Sequence, residues 1–350
     1  MKKIFFAILC AGALMSCAKD LVITADKEAI TFENAFVDNA TKAAYDASYN
    51  NSGNFTEFQV YATITGTESN EGTANIFRGE RVVKGTSLGQ GENWSYATAN
   101  TQYWIPGNNY QFRAIADGNI ENVTSVTFNE VGMATAINLL DASAQKDILT
   151  AEHNVTNYTK PQNGTPAAVA FTFAHVLSKA KFTVKNTVET NNGYSYKVTN
   201  VALNDLAKNG VYTITNGATG TWAAAATPAI YNLSFGDVTV EGKADNAQAT
   251  IADIVYNSSA ESNFDRLLIP GTQTLNISFS YGLYKGGVLI DAQDKTLTAN
   301  VTLDAAKAYN FVISLGNPGD PIQFDVLAVT DWDTDHTGYN PGVNMPNVNM

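Results

Sequence analysis

The residue best placed to undergo chemistry is a cysteine. Cys17 closes the tetrad Leu14-Met15-Ser16-Cys17, behind a positive pair, Lys2 and Lys3, and an apolar run that opens at Ile4. That order predicts a secretory signal over residues 1–16 ending in a lipobox. Small residues there fit a signal peptidase, and the Cys17 thiol then takes a diacylglycerol. About 13 apolar or small residues are too few to cross a hydrocarbon core of ~30 Å. The lipid would be the chain's membrane attachment, holding by burial of its CH₂ groups. Cys10 lies inside the segment to be removed, so no disulfide is expected after export.

Other reactive side chains are sparse. His153, His175 and His336 stand far apart, and none has a Cys or His partner at metal-ligand spacing. His175 sits among apolar residues of an expected strand and reads as a hydrogen-bonded core histidine. Asp331, Asp333 and Asp335 could present oxygens to Ca²⁺, yet the Gly and distal Glu of an EF-hand loop are missing. A solvated acidic turn is the simpler reading. There is no Gly-x-Ser-x-Gly elbow and no phosphate-cradling loop. No catalytic residue, metal ligand or cofactor beyond the diacylglycerol is assigned, and an enzyme is not expected.

The elements around these residues follow from composition. The chain has 350 residues, a formal net charge of −12 and 45% hydrophobic residues. Such a charge argues against nucleic acid as a partner, since phosphates need basic stripes. Charged residues make up 15%, against a usual ~25%. Thr (38) and Asn (37) fill the gap. Thr favours strands and Asn favours turns, so an all-β chain is predicted.

Alternation supports that prediction. Ile30, Phe32 and Phe36 fall on one face of a first strand. Phe58 to Thr65 alternates, as do Val169, Phe171, Phe173 and His175. So do Leu275, Ile277, Phe279 and Tyr281, and later Phe311, Ile313 and Leu315. Pro106-Gly107-Asn108-Asn109 reads as a turn between strands. Asp141 could cap one helical turn over 142–146. Residues 153–168 are polar, carry Pro161 and Pro166, and read as a linker. The aromatic sets Tyr45, Tyr49, Phe55, Phe58 and Trp94, Tyr96, Tyr103, Trp104 could line a ligand surface, but alternating strand aromatics read first as core.

Ordered landmarks along the chain resemble the fimbrillin family of Bacteroidales, the subunits of type V pili. They are the lipobox at Cys17, YWIPGNNYQFRAIA at 103–116, QKDIL within 141–151, and VAFTFAHVLSKAKFTV at 169–184. Then follow VTNVALNDLAKNGVY at 198–212, RLLIPGTQTLNISFSY at 266–281 and IQFDVLAVTDW at 322–332. The resemblance implies two β-sandwich domains with transthyretin-like, Greek-key-related topology. The divisions expected are a signal at 1–16, a lipidated segment with the first strand at 17–45, domains at 46–160 and 161–336, and a tail at 337–350.

The resemblance also implies a mechanism. The precursor travels as a lipoprotein to the outer-membrane surface, where a trypsin-like surface protease removes the segment carrying Ile30, Phe32 and Phe36. A strand from another fimbrial subunit, or from a second copy, fills the vacated groove by strand addition. Host or bacterial surface receptors or glycans would be the adhesion partners. Two features depart from the family pattern. Cleavage there follows Arg, but the first Arg is Arg78, and Lys42 is the only basic residue near the expected position. Lys42 is either the processing site or a plain surface lysine. The tail offers Tyr339, Val343 and Met345 as donor side chains, while Pro341 and Pro346 each remove a ladder donor. It reads as a donor strand or as a flexible tail. A non-polymerising tip or anchor adhesin, or a glycan-binding surface lipoprotein, is the alternative.

Overall fold

The computed structural model describes residues 28–37, 56–66, 72–116, 122–139, 147–186, 194–217, 220–224, 230–240, 266–316 and 319–331. Cys17, Lys42, Tyr339, Val343, Met345 and the expected helical turn at 142–146 lie outside them. The described residues are built from β-strands, apart from one short 3-10 turn at Thr98–Asn100.

The first sheet uses β1 (Phe32–Val37), β2 (Glu57–Gly66), β3 (Thr73–Lys84), β4 (Gly89–Gln90), β5 (Trp94–Ala97) and β6 (Asn108–Ala116). The chain then leaves it for β7 (Val123–Phe128) and β8 (Gly132–Asn138). It returns with β9 (Leu149–Val155) and β10 (Val169–His175). The order is β1-β10-β9-β6-β2-β3-β5-β4, and a bridge from Phe32 to Trp94 joins β1 back to β5. The sheet thus curls until its ladder closes. Inside lies an aromatic core that includes Phe32, Phe58, Phe77, Tyr96, Phe112, Phe171 and Phe173.

The rest of the chain gives β11 (Ser178–Asn186), β12 (Tyr194–Ala207), β13 (Asn209–Thr215), β14 (Thr221–Ala224) and β15 (Ile230–Val240). After these come β16 (Arg266–Leu268), β17 (Gly271–Lys285), β18 (Val288–Leu303), β19 (Lys307–Leu315) and β20 (Gln323–Asp331). One sheet has the order β16-β11-β19-β20 and another the order β15-β12-β17-β18. Their apolar rows share a second core, with Phe182, Phe311 and Ile313 from the first and Leu203, Ile277 and Phe279 from the second. Strict alternation drives this packing. In β17, Leu275, Ile277 and Phe279 are buried between less buried neighbours.

The division of the chain differs from the expected boundary at 160/161. β10, expected to open the second domain, is a strand of the first sheet and pairs with β1 and β9. His153 and Val155, expected in the linker, finish β9 opposite Phe112 and Tyr110. The irregular stretch is the shorter 156–168. Conversely β7 and β8, from the first half, form a sheet of order β14-β13-β8-β7 with strands of the second half. Met133 and Ile137 from β8 enter the second core, as do Tyr61 and Ile115 from the other face of the curled sheet. Two apolar side chains on the otherwise polar outer face of β2 and β6, Tyr61 and Ile115, are covered by this interleaving.

Two buried polar groups brace the junction. Arg113 of β6 donates to the carbonyls of Asn129 (2.8 Å) and Glu130 (3.5 Å), and to Asn216 Oδ1. Burial pulls its guanidinium below the ordinary value, against the opposing pull of Glu152 and Glu130. At the passage from β10 to β11, His175 Nδ1 bonds Asp147 Oδ2, with side chains 4% and 1% exposed. Asp147 Oδ1 accepts the Ile148 amide at 2.8 Å. A buried pair is costly to break from one side, since the survivor is left desolvated. His175→Phe is expected to cost about 3–5 kcal/mol in urea unfolding. The double variant His175→Phe/Asp147→Leu should recover most of that loss, whereas a double variant as unstable as the single one would show that the stranded carboxylate is not the source of the cost.

Candidate functional site

The segment 28–37 closes the first sheet. Its bonds run to three neighbours. The Ile30 amide donates to Gln102 O (2.9 Å), the Trp104 amide to Glu28 O (2.9 Å), and the Val169 amide to Thr31 O (2.8 Å). β1 then runs parallel to β10, with Phe32 opposite Val169 and Val37 opposite Phe173. Its register slips between Glu33 and Phe36, and on its other side the single bridge from Phe32 reaches Trp94. Parallel pairing is a little weaker per residue than antiparallel, and a slip disrupts the ladder further. Of the expected face, Ile30 and Phe32 are buried. Phe36 pairs through its backbone with Thr172, and its side chain lies outside the described set.

The side chains of this weakly laddered segment go deep. The Phe32 ring is 2% exposed. It meets Phe77 and Tyr96 at 5.7 Å, Phe58 at 5.9 Å, Phe171 at 6.0 Å and Phe112 at 6.4 Å between centroids. The contacts are edge-on, tilted or stacked, as ring quadrupoles favour. Without residues 28–37 the core would be an open groove floored by these rings, with unpaired backbone along β10 on one side and residues 102–104 on the other.

Polar contacts hold the segment in register. The Tyr96 phenol donates to Ile30 O at 2.8 Å and accepts the Gln102 amide at 3.4 Å. Burial, partly offset by the Gln102 amide, pushes this phenol up to about 12. Tyr110, which accepts the Ile105 amide at 2.6 Å, is also pushed up to about 12, again by burial first. Glu28 pairs with Lys160 at 3.6 Å. The Tyr158 phenol is raised by burial and then by the Glu28 carboxylate.

The expected site residues therefore divide. Ile30 and Phe32 are brought into one groove with Trp94, Tyr96 and Trp104, all buried, so these aromatics are core lining rather than a ligand surface. His175 is the expected hydrogen-bonded core histidine. Tyr96 and β10 as the strand's docking partners were not foreseen. Their signal was the alternation of Val169, Phe171 and Phe173, which marks a buried face without naming a neighbour. Among the described residues, no three His, Cys, Asp or Glu side chains gather to hold a metal.

Comparison with known proteins fits this architecture. A family model described as fimbrillin-like matches residues 41–332. A crystal structure of a fimbrial protein from Bacteroides vulgatus superposes with a TM-score of 0.56 at 15% identity, covering 87% of this chain and 99% of that one. A candidate cell adhesion protein from Bacteroides ovatus gives 0.49 at 14% identity, over 88% and 99%. Among curated proteins, none matches the sequence significantly.

Phe32→Ala should destabilise the intact chain by about 3–5 kcal/mol in denaturant melts, the usual cost of emptying a buried aromatic site. Tyr96→Phe removes the donor to Ile30 O and should cost about 1–3 kcal/mol. Because the two phenols are raised above their unfolded value near 10, their contribution is complete below pH 10. It should disappear as pH climbs from 10 to about 12, and Tyr96→Phe should flatten that fall. A melting temperature level across that window would contradict this account.

Proposed function

This chain belongs to the fimbrillin-like family, and on that premise we propose that it is a cell-surface fimbrial subunit contributing to adhesion. Assembly is by strand exchange at the groove held by residues 28–37. The observation that carries this reading is the mismatch within β1: its first side chain, Phe32, fills the middle of the aromatic core, while its ladder slips on one side and has a single bridge on the other.

Magnitudes support a replaceable strand. Burying Ile30 and Phe32 contributes about 1.5–3 kcal/mol each. Each backbone bond of the segment adds about 0.5–1.5 kcal/mol net. While the segment is tethered, these terms keep it in place. Once the chain is cut between β1 and β2, holding it also costs the entropy of association, an estimated ~4–15 kcal/mol. The two sums are then comparable, and a donor of similar pattern can compete.

The remaining steps are those that the family resemblance implies. Export uses the signal at 1–16, and Cys17 takes the diacylglycerol that holds the precursor at the outer membrane. A surface protease cuts after Lys42, which falls in sequence between β1 and β2. The donor is a strand of another fimbrial subunit or of a second copy, for which Tyr339, Val343 and Met345 of the tail are candidates. Arg78 and Arg81 lie within β3, which is laddered to β2, so an Arg cut between β1 and β2 has no residue to use. That observation favours, as a second reading, an uncleaved tip or anchor subunit that stays on its lipid.

The two readings separate on one measurement: the N-terminal sequence and mass of protein recovered from the cell surface. A start near Ala43, with oligomer ladders on unboiled gels, is expected for exchange. Acylated Cys17 at the N-terminus, with no ladder, would overturn it in favour of the anchor.

A further inference from the structure

β18 changes character along its length. From Leu303 back to Leu297, buried Leu303, Val301, Ala299 and Leu297 alternate with exposed Thr and Asn. The ladder with β17 holds its register from Gly271–Leu303 to Leu283–Asp291. The same inward row therefore continues as Lys295, Gln293 and Asp291. Where the row would otherwise go on in hydrocarbon, it holds a half-buried ammonium and a half-buried carboxylate on either side of an exposed amide. A cavity of about 500 Å³ opens there between the two sheets, within the usual ~300–1,000 Å³ of small-ligand sites.

Its walls are mixed by construction. Register places Tyr196, Leu283 and Asp291 in one row across β12, β17 and β18, and Tyr281 beside Gln293 in the next. The Tyr196 and Tyr281 rings stand 6.0 Å apart at 68°. Tyr196 donates to Gly316 O on the opposite sheet's side, where Asp320 also lines the space. Gln293 Nε2 donates to Asp291 Oδ2 at 2.7 Å, which fixes its amide. Ile290, 52% exposed, forms an apolar lip beside Val288 and Leu289.

We propose that this cleft, between β18 and Gly316, binds a neutral saccharide. The lining selects by exclusion. An anion would meet Asp291 and Asp320, and Lys295 offsets part of their pull on a cation. An uncharged polyol carries both donors and acceptors and so suits acceptor-only carboxylates, a donor-only ammonium and an amide that does both. The C–H face of a sugar ring packs on tyrosine rings, which offer apolar area with a polar tip. A peptide strand fits less well. The register shift at Leu283/Tyr284 and the inward-pointing charges are devices that blunt an edge against strand addition. The site does not depend on strand exchange, so its failure would leave the assembly reading intact.

Saturation-transfer NMR on the protein as recovered from cells tests this. The probes are glucose, galactose, mannose, N-acetylglucosamine, their disaccharides, and the charged sugars glucuronate and glucosamine. At least one neutral sugar should receive saturation on its ring protons, and the charged sugars at least severalfold less. Tyr281→Ala and Gln293→Ala should each weaken the response at least tenfold. Gln293 is exposed, so its variant should keep the wild-type melting temperature. Absence of transfer to every neutral sugar would overturn the proposal. So would a signal unchanged in both variants, or stronger binding of the charged sugars or of strand-forming peptides.

Discussion

The first half of this molecule is organised around one aromatic ring. Phe32 is surrounded by rings from β2, β3, β5, β6 and β10, strands that span about 120 residues of sequence. Each of those strands alternates so as to send an aromatic side chain inward, and the curl of the sheet follows from giving them a common centre. A flat sheet would leave the same rings in water. The ring at that centre comes from a strand whose ladder slips on one side and is a single bridge on the other, so packing and hydrogen bonding are assigned to different elements. That separation lets a core be complete while one of its strands remains exchangeable.

The second constraint is that the outer face of β2 and β6, otherwise polar, carries two large apolar side chains. The inner face of these strands makes the aromatic core. The other face, with Tyr61 and Ile115, needs cover, and Tyr61 meets Phe128 at 5.2 Å. The cover comes from β7 and β8, which leave the first sheet after β6; β8 pairs with β13, which in turn carries β14. The loops of that small sheet accept Arg113, whose charge would otherwise be stranded inside the junction. Glu152 accepts the Gly217 amide at 2.9 Å on the same side. The result is a junction of interlocked strands, in place of two beads on a linker.

Much of the groove was legible from residues alone. Ile30 and Phe32 read as one buried face, and they are. His175 read as a satisfied core histidine, and Asp147 satisfies it. The polar, proline-bearing stretch before β10 was read too broadly, because His153 and Val155 look like loop residues until their ladder partners in β6 are known. Strands such as β3 and β18 were silent for a related reason. Their inward residues are interrupted by charges and amides, so period-2 hydrophobicity fades where the tertiary structure uses polar groups inside.

Sequence by itself determined the all-β class and which side of the alternating strands is buried. Alternation is a local property, set by the two-residue pleat, and Thr, Asn and the aromatic residues carry it without reference to neighbours. Order and spacing of short landmarks also carried family membership. Only the tertiary structure decided which strands are adjacent: that β1 closes on β10 and β5, that residues 132–138 pair with 209–215, and that Asp291, Gln293 and Lys295 share a cavity with two tyrosines. A pleat specifies the direction of a side chain but not what stands opposite. Partners are chosen by long-range closure, where many faces must be covered at once.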